Sequence, residues 1–150
     1  MSKYLLVILS LLLVACDATK KVPDGSYLLN KVEIESDVNG IGGSALRPYL
    51  RQRPNSSMPV MGRFKLHMYN FPDNDSTWIN RQLLRYGEPP VLFNEQLAVI
   101  SAEQIRLHLN NKGYLNAEVD TSVVKGEKRA DVTYRITGHE PYRIRSYRDT

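Results

Sequence analysis

Residues 116–137 read NAEVDTSVVKGEKRADVTYRIT, and this stretch decides the fold. In each half, small or apolar residues alternate with polar residues, and such alternation predicts half-buried strands. The loop between the halves is short and begins with Gly126, which is typical of a β-hairpin. We therefore predict two neighbouring strands, at residues 116–125 and 130–137.

A helical pattern precedes the hairpin. Asn94 begins a short helix, and the S-x-x-Q spacing from Ser101 is that of a capping box, which predicts a second helix start there. Ile105 and Leu109 lie one turn apart on that second helix, and Gly113 is expected to end it.

Residues 27–36 alternate in the same way as the hairpin, so we predict a first strand there, followed by a glycine-rich turn and a short helix capped by Ser44. Prolines punctuate residues 58–93, so only short helices are expected there, the second capped near Asp75 or Ser76. Their predicted apolar faces consist of Phe64, Met68 and Phe71, and of Trp78, Leu83 and Leu84. The order of elements predicts an α+β fold, with a small three-stranded mixed sheet and helices on one face.

The N-terminus reads as an export signal. Lys3 is followed by an unbroken, mostly aliphatic run over residues 4–14. A membrane-spanning helix needs about 20 apolar residues, so this run is too short for one. A single positive charge, a short apolar run and a small residue predict a signal peptide over residues 1–15.

The sequence LVAC at residues 13–16 resembles the bacterial lipobox, in which the cysteine is diacylated and becomes the new N-terminus. Cys16 is the only cysteine of the chain, so we predict lipidation there; the alternative is an ordinary signal peptide that contains a cysteine. Residues 16–26 are polar, with a proline and a glycine, and are expected to form a lipidated tether.

Composition bounds the class of protein. The 150 residues suit one domain, and their 24% charged content is that of an ordinary globular chain, which excludes a disordered acidic tail. One cysteine excludes a disulfide scaffold. The net charge of +4 is spread along the chain, which indicates a solvated surface; binding to anionic lipid headgroups is the alternative.

Motifs for catalysis or metal binding are weak. Residues 40–45 match G-x-G-x-x-A, but no strand and no acidic residue follow at the spacing of a dinucleotide site. The three histidines are far apart, and none has a second ligand at metal spacing: His67, His108 and His139. No serine lies in a G-x-S-x-G elbow. We therefore predict a protein that is not an enzyme, with no catalytic residue, no metal and no cofactor, and with no nucleic-acid partner.

Two candidate sites of other kinds remain. Ser76 lies in Asp75-Ser76-Thr77, which resembles the O-glycosylation acceptor motif of Bacteroidetes envelope proteins, although Ser76 fits a helix cap equally well. The strand at 116–125 is a candidate sheet edge that pairs with an extended peptide; the alternative is an edge protected by the charges of Lys125, Glu127 and Lys128. Its candidate partner-binding residues are Asn116, Ala117, Glu118, Val119, Asp120, Thr121, Ser122 and Val123.

The layout resembles a polypeptide-transport-associated (POTRA) domain, whose order is strand, helix, helix, strand, strand. The motifs that carry the resemblance are GEPPVL at 87–92, NKGY at 111–114, AEV at 117–119 and GHEPYRI at 138–144. With the lipobox, QRPN at 52–55, Tyr69-Asn70 and Trp78, the chain is similar to the TamL-like Bacteroidetes lipoproteins of the BamA/TamA superfamily of outer-membrane assembly proteins.

The resemblance implies a domain organisation. Residues 27–138 would form a POTRA-like domain with a helical insertion at about 54–93. Residues 139–150 would form the first strand of a second, truncated POTRA-like domain.

The resemblance also implies a function. The chain would be the periplasmic POTRA arm of a lipoprotein of the cell outer membrane, anchored by acyl chains such as palmitate on Cys16. It would act in the insertion, assembly or translocation of outer-membrane proteins. Unfolded outer-membrane clients or a periplasmic partner of the machinery would pair with the edge of the 116–125 strand. The alternative is a stand-alone envelope lipoprotein that acts as a peptide- or polymer-binding module.

Overall fold

The computed structural model describes residues 17–143, and the chain divides into two compact units. One unit combines Asn55–Leu92 with the described residues that precede Leu29, and we call it the insertion unit. The other combines Leu29–Pro54 with the described residues from Phe93 onward, and we call it the sheet unit. No helix between residues 17 and 143 has the length and apolar character needed to cross a membrane.

The sheet contains three strands: β1 (Leu28–Ser36), β2 (Glu118–Lys125) and β3 (Arg129–Thr137). β3 lies between the other two, and β2 and β3 are antiparallel. β1 runs parallel to β3, because successive hydrogen bonds join Asn30 to Asp131 (2.6 Å) and Asp37 to Gly138 (2.8 Å). The predicted three-stranded mixed sheet is confirmed, and each strand lies within two residues of its predicted bounds.

The buried face of the sheet follows the alternation in the sequence. Four residues of β3 point into the core: Ala130, Val132, Tyr134 and Ile136. Helix α4 (Glu95–Asn111) packs against β2 and buries one face of its own: Ala98, Ser101, Ile105 and Leu109. Burial of each large apolar side chain among them contributes about 1.5–3 kcal/mol.

Helix α4 is continuous, so the capping box predicted at Ser101 is wrong. The N-cap is Asn94, whose side chain accepts a hydrogen bond from the Leu97 N–H (3.1 Å). Ser101 is fully buried inside the helix, where its hydroxyl donates to the Leu97 carbonyl oxygen (2.6 Å) and accepts from the Arg51 N–H (2.9 Å). Because both hydrogen bonds satisfy the hydroxyl within the core, the serine does not interrupt the helix. Gly113 follows the helix with a φ of 94°, and the predicted glycine stop is confirmed.

The short helix after β1 begins earlier than expected. Helix α1 (Gly43–Leu46) has Gly42 as its N-cap, without a side-chain cap, and it continues into a 3₁₀ helix (Arg47–Tyr49). The cap predicted at Ser44 is therefore wrong. A Cβ at position 43 would lie 2.9 Å from the Ile34 carbonyl oxygen, so the glycine allows the helix to begin directly against β1.

The insertion unit contains two short helices, α2 (Phe64–Asn70) and α3 (Trp78–Tyr86). Their existence agrees with the prediction, but their predicted apolar faces are wrong. α2 buries Leu66 and Asn70 and leaves Phe64 exposed. α3 buries no residue fully. Because the unit is small, only Leu66 of α2 joins its core, together with Ala18, Val22 and Leu28.

The cap of α3 also differs from the expectation of Asp75 or Ser76. Thr77 is the N-cap, and its side chain accepts a hydrogen bond from the Asn80 N–H (3.2 Å). The Ser76 N–H instead donates to the Asn74 side chain (3.2 Å), so the residues before Thr77 form a turn of their own.

The segment predicted as a tether over residues 16–26 is folded in its described part. The Asn70 amide group donates to the carbonyl oxygens of Asp17 (3.3 Å) and Ala18 (2.9 Å). The Lys21 ammonium donates to the Tyr69 carbonyl oxygen (2.8 Å). The chain therefore rests on α2 from its first described residue. Cys16 itself, and the signal peptide predicted over residues 1–15, lie outside the described residues.

The strand predicted at residues 139–150 lies largely outside the described residues as well. Its described part, 139–143, forms no strand. The Tyr142 N–H donates to the Gly113 carbonyl oxygen (2.8 Å), which places this segment beside the end of α4.

Candidate functional site

Strand β2 forms an edge of the sheet. Only β3 pairs with it among the residues that the structure describes. β1 forms the opposite edge, but there the Ile34 carbonyl oxygen faces the start of α1 at Gly43. β2 is therefore the more open edge, and an open edge strand presents unpaired backbone donors and acceptors.

The hairpin turn identifies the outward-pointing backbone groups of β2. The Gly126 N–H donates to the Arg129 carbonyl oxygen (2.8 Å), so these two residues form a hydrogen-bonded pair. Bonded and non-bonded pairs alternate along an antiparallel ladder, and the next pair is Lys125 with Ala130. It follows that the N–H and C=O groups directed away from β3 are those of Val119, Thr121, Val123 and Lys125.

The two faces of β2 differ in chemistry. Val119 and Val123 are half-buried on the inner face, opposite Ile136 and Val132 of β3. The outer face is exposed and carries Glu118, Asp120, Ser122 and Val124. The edge strand is therefore amphipathic across its width.

Charges on the outer face are partly paired across the sheet. Asp120 lies opposite Arg135, and the Arg135 guanidinium also lies 3.2 Å from the Glu35 carboxylate of β1. Both members of the Arg135–Glu35 pair are largely exposed, so the pair adds little stability. At the hairpin end the Lys125 ammonium lies over the Phe93 ring, 5.6 Å from its centre. The charges expected to protect the edge are confined to its hairpin end, since residues 119–124 include no lysine or arginine.

The core beside β2 contains a buried phenol and a buried serine hydroxyl. Tyr134 lies opposite Thr121 and is fully buried. Burial raises the pKa of Tyr134, and the nearby Ser101 hydroxyl opposes this by a smaller amount. The phenol therefore stays neutral at physiological pH and acts as a packing group under the edge strand.

The predicted edge residues come together as expected for one strand, with two exceptions. The last six, from Glu118 to Val123, lie in β2. Asn116 and Ala117 precede the strand; the Asn116 amide donates to the Tyr142 hydroxyl (3.3 Å), and Ala117 is buried. Ser76 lies apart from the edge, in an exposed turn of the insertion unit.

The structure keeps the histidines in separate elements. His108 stacks on Tyr49 with ring centres 4.3 Å apart. His67 lies in α2, and His139 follows β3. Residues 17–143 contain no group of three His, Cys, Asp or Glu side chains placed to hold a metal ion. The glycine-rich residues 40–45, which match G-x-G-x-x-A, form a turn and the start of α1. The sheet that they follow has the strand order β1-β3-β2.

Two buried amides had no role assigned from the sequence. In the sheet unit, the Gln52 side chain donates to the Asn94 carbonyl oxygen (2.9 Å) and accepts from the Asn94 N–H (3.0 Å). In the insertion unit, the Asn55 side chain donates to the Pro89 carbonyl oxygen (2.7 Å) and accepts from the Val91 N–H (2.9 Å). Each amide satisfies both a donor and an acceptor of an irregular segment. Both amides belong to the motif QRPN at 52–55, which is the sequence feature that could have indicated their role.

A mixed three-stranded sheet, helices on one face and an open edge strand define an α+β domain suited to protein interaction. Residues 27–138 match the family model of the POTRA domain, described as a surface antigen variable number repeat. The chain therefore belongs to the POTRA family. POTRA domains are non-catalytic protein-interaction modules, and they occur in proteins that assemble or translocate outer-membrane proteins. Comparison of the chain with curated proteins, and with solved structures, gives no match.

Proposed function

We propose that this chain is the periplasmic POTRA arm of an outer-membrane lipoprotein of the TamL-like kind in the BamA/TamA superfamily. It acts in the insertion, assembly or translocation of outer-membrane proteins. The observation that carries the proposal is the open edge of β2. POTRA domains generally bind unfolded clients or partners of the assembly machinery, and an open edge accepts an extended chain by main-chain hydrogen bonding.

The geometry of β2 supports strand addition as the binding mode. Val119, Thr121 and Val123 direct both backbone groups outward, so an incoming strand finds about six hydrogen-bonding groups there. Each bond contributes about 1 kcal/mol net, and ordering the incoming chain offsets much of that gain. Binding is therefore reversible and depends little on client sequence, as an assembly protein with many clients requires.

The two faces of β2 indicate which strands fit beside it. On the inner face an added strand would place its side chains next to Val119 and Val123, where apolar residues gain contact. On the outer face they would lie next to Glu118 and Asp120, where polar or basic residues are favoured. Strands that span the outer membrane alternate apolar and polar residues in this way. Unfolded outer-membrane proteins are therefore the client class that β2 matches.

Membrane attachment is proposed to occur through acyl chains on Cys16. The support is the lipobox at residues 13–16 and the single cysteine. Two or more acyl chains give stable anchoring, whereas one gives only marginal binding. Labelling with a palmitate analogue in a bacterial host that lipidates lipobox proteins tests this step. Cys16→Ala is expected to lose all label, and label retained on that variant would show that Cys16 is not acylated.

Substitution at Thr121 tests the binding mode. Thr121→Pro removes one outward N–H group without removing a bond to β3, a position where edge strands tolerate proline. Thr121→Ala removes the same side chain but keeps the N–H, and it is the matched control. We expect the proline variant to bind a denatured outer-membrane β-barrel protein about fivefold more weakly than the alanine variant, as one lost hydrogen bond predicts.

Hydrogen exchange gives a second readout of the same experiment. On binding, the outward amides of Val119, Thr121 and Val123 should become protected, while the Ser122 amide, already bonded to β3, should change little. Equal affinity of the two Thr121 variants, with no new protection in β2, would exclude strand addition at this edge.

A further inference from the structure

The insertion unit leaves large apolar side chains in solvent. On α3, Trp78 is 67% exposed, Ile79 62% and Tyr86 63%. In the turn closed by Met58 and Gly62, Val60 is 96% exposed. Monomeric proteins rarely leave grouped apolar residues uncovered, and such groups mark binding surfaces.

We propose that the exposed face of α3 binds an anionic phospholipid surface. We define the α3 face as the exposed residues of this helix, which would contact the phospholipid surface: Trp78, Ile79, Arg81, Arg85 and Tyr86. At 100° per residue these side chains lie on one side of the helix, and the half-buried Leu83 and Leu84 flank the opposite side.

The composition of the α3 face is that of a helix lying at a membrane interface. Tryptophan and tyrosine combine an apolar ring with a polar group and are favoured at the headgroup level. The Arg85 guanidinium lies 5.9 Å from the centre of the Tyr86 ring, so an aromatic residue and a cation are presented together. Arginine side chains bury their stems in apolar surroundings while the charge contacts phosphate.

Charge favours an anionic surface over other occupants. The helices of the insertion unit contain Lys65, Arg81 and Arg85, and neither contains Asp or Glu. Two acidic residues lie between the helices: Asp73, which pairs with Lys20 at 2.6 Å, and Asp75; Glu88 follows α3. Each lysine or arginine near an anionic leaflet adds about 1 kcal/mol of attraction.

The position of the N-terminus supplies the second argument, and this step rests on the proposed acylation of Cys16. Asn70 of α2 holds Asp17 and Ala18 through hydrogen bonds. Cys16 is one residue away, and consecutive Cα atoms are about 3.8 Å apart. An acylated Cys16 would therefore hold the insertion unit close to the headgroup layer, within reach of lipid.

The single tryptophan of the chain makes the proposal directly testable, because Trp78 is part of the α3 face. The experiment uses the chain from residue 16 onward with Cys16→Ser, so that no acyl chain contributes. It is mixed with phosphatidylcholine vesicles with and without phosphatidylglycerol. With the anionic vesicles we expect Trp78 emission to shift to shorter wavelength and to be quenched by brominated acyl chains, and high salt should reverse both effects.

Charge reversal separates the α3 face from general basicity. Arg81→Glu with Arg85→Glu is expected to weaken vesicle binding at least tenfold. The matched control, Lys112→Glu with Arg129→Glu, makes the same change in net charge in the sheet unit and should bind like the parent chain. Circular dichroism confirms that both variants are folded.

Two results would overturn the proposal: Trp78 emission that ignores anionic vesicles, or equal weakening by the two double variants. The first would leave a protein partner as the occupant of the α3 face, since Trp, Tyr and Arg also dominate protein interfaces. Neither result depends on client binding at β2 or on acylation. A failure of the proposed function therefore remains distinguishable from a failure of this inference.

Discussion

Ser101→Ala tests how helix α4 is held to the rest of the sheet unit. The hydroxyl is fully buried, and it is the acceptor for the Arg51 N–H at 2.9 Å. Alanine would leave that N–H without its acceptor in a part-buried position. An unsatisfied buried donor costs about 1–3 kcal/mol. The carbonyl oxygen of Leu97 loses less, because the helix already provides it with a backbone partner.

Gln104→Ala is the matched comparison. If Ser101 began a helix through a capping box, Gln104 would be its partner, and both substitutions would cost about 1 kcal/mol. In the structure Gln104 only accepts a 3.3 Å hydrogen bond from the exposed Arg51 guanidinium. Its replacement should therefore change the free energy of unfolding by less than about 0.5 kcal/mol.

Urea denaturation followed by circular dichroism measures both variants, and hydrogen exchange at the Arg51 amide gives a local readout. We expect Ser101→Ala to lower the urea midpoint and to speed exchange at Arg51, and Gln104→Ala to do neither. Equal destabilisation by the two variants, with unchanged exchange at Arg51, would refute the continuous helix and restore the capping box.

Substitutions at three other positions test further features of the structure and sequence. A methyl group at position 87 would lie 2.6 Å from the Tyr69 backbone nitrogen, so Gly87→Ala should cost about 1–3 kcal/mol in urea denaturation. Gly126→Ala, where the nearest atom is 3.8 Å away, is its control, and equal midpoints would refute the close packing. The Lys20 hydrogen bond and charge lower the pKa of Asp73, so the pair stabilises the fold above the carboxyl's ordinary pKa and loses this effect as pH falls through the lowered value. Lys20→Met should return the pKa of Asp73 to its ordinary range by NMR titration; an unchanged pKa would show that the pair does not form. Ser76 is exposed, and if it is O-glycosylated, Ser76→Ala expressed in a Bacteroidetes host should lose the mass of one glycan; identical masses would remove the site.

The sheet was predictable because its signal is local. Alternation in β1, β2 and β3 has the period of the backbone itself, so burial follows directly from residue order, as in Ala130, Val132 and Tyr134. The edge position of β2 could be predicted once the hairpin and a third strand had been recognised. Two of the mispredicted helix starts, those at Ser101 and Ser44, have tertiary causes. Ser101 has its hydrogen-bond partner at Arg51, fifty residues away, and Gly43 fits against β1 at Ile34.

The insertion unit was less predictable because it has little core. A helix in a larger domain buries its apolar stripe, and that rule predicted buried faces for Phe64 and Trp78. Here the only described core cluster of the unit contains Ala18, Val22, Leu28 and Leu66. Two of these residues, Ala18 and Val22, come from the segment over residues 16–26, whose polarity indicated a tether, and Leu28 is the first residue of β1. Apolar residues without a place in so small a core remain exposed, and their exposure is the basis of the α3 face.

If clients bind β2 by strand addition, as proposed, the alternation along this strand would let one edge serve many of them. The hydrogen bonds to a client would come from the backbone of Val119, Thr121 and Val123, whose side chains face the core side, so this recognition would not depend on client sequence. A shift of one residue would turn every apolar side chain of an added strand toward the acidic outer face. Under strand addition, the two faces of β2 would therefore select the register and the amphipathic character of an added strand while leaving its sequence free. An unfolded outer-membrane protein carries many alternating segments of about ten residues in series, so one client chain would present β2 with several segments of the matching pattern.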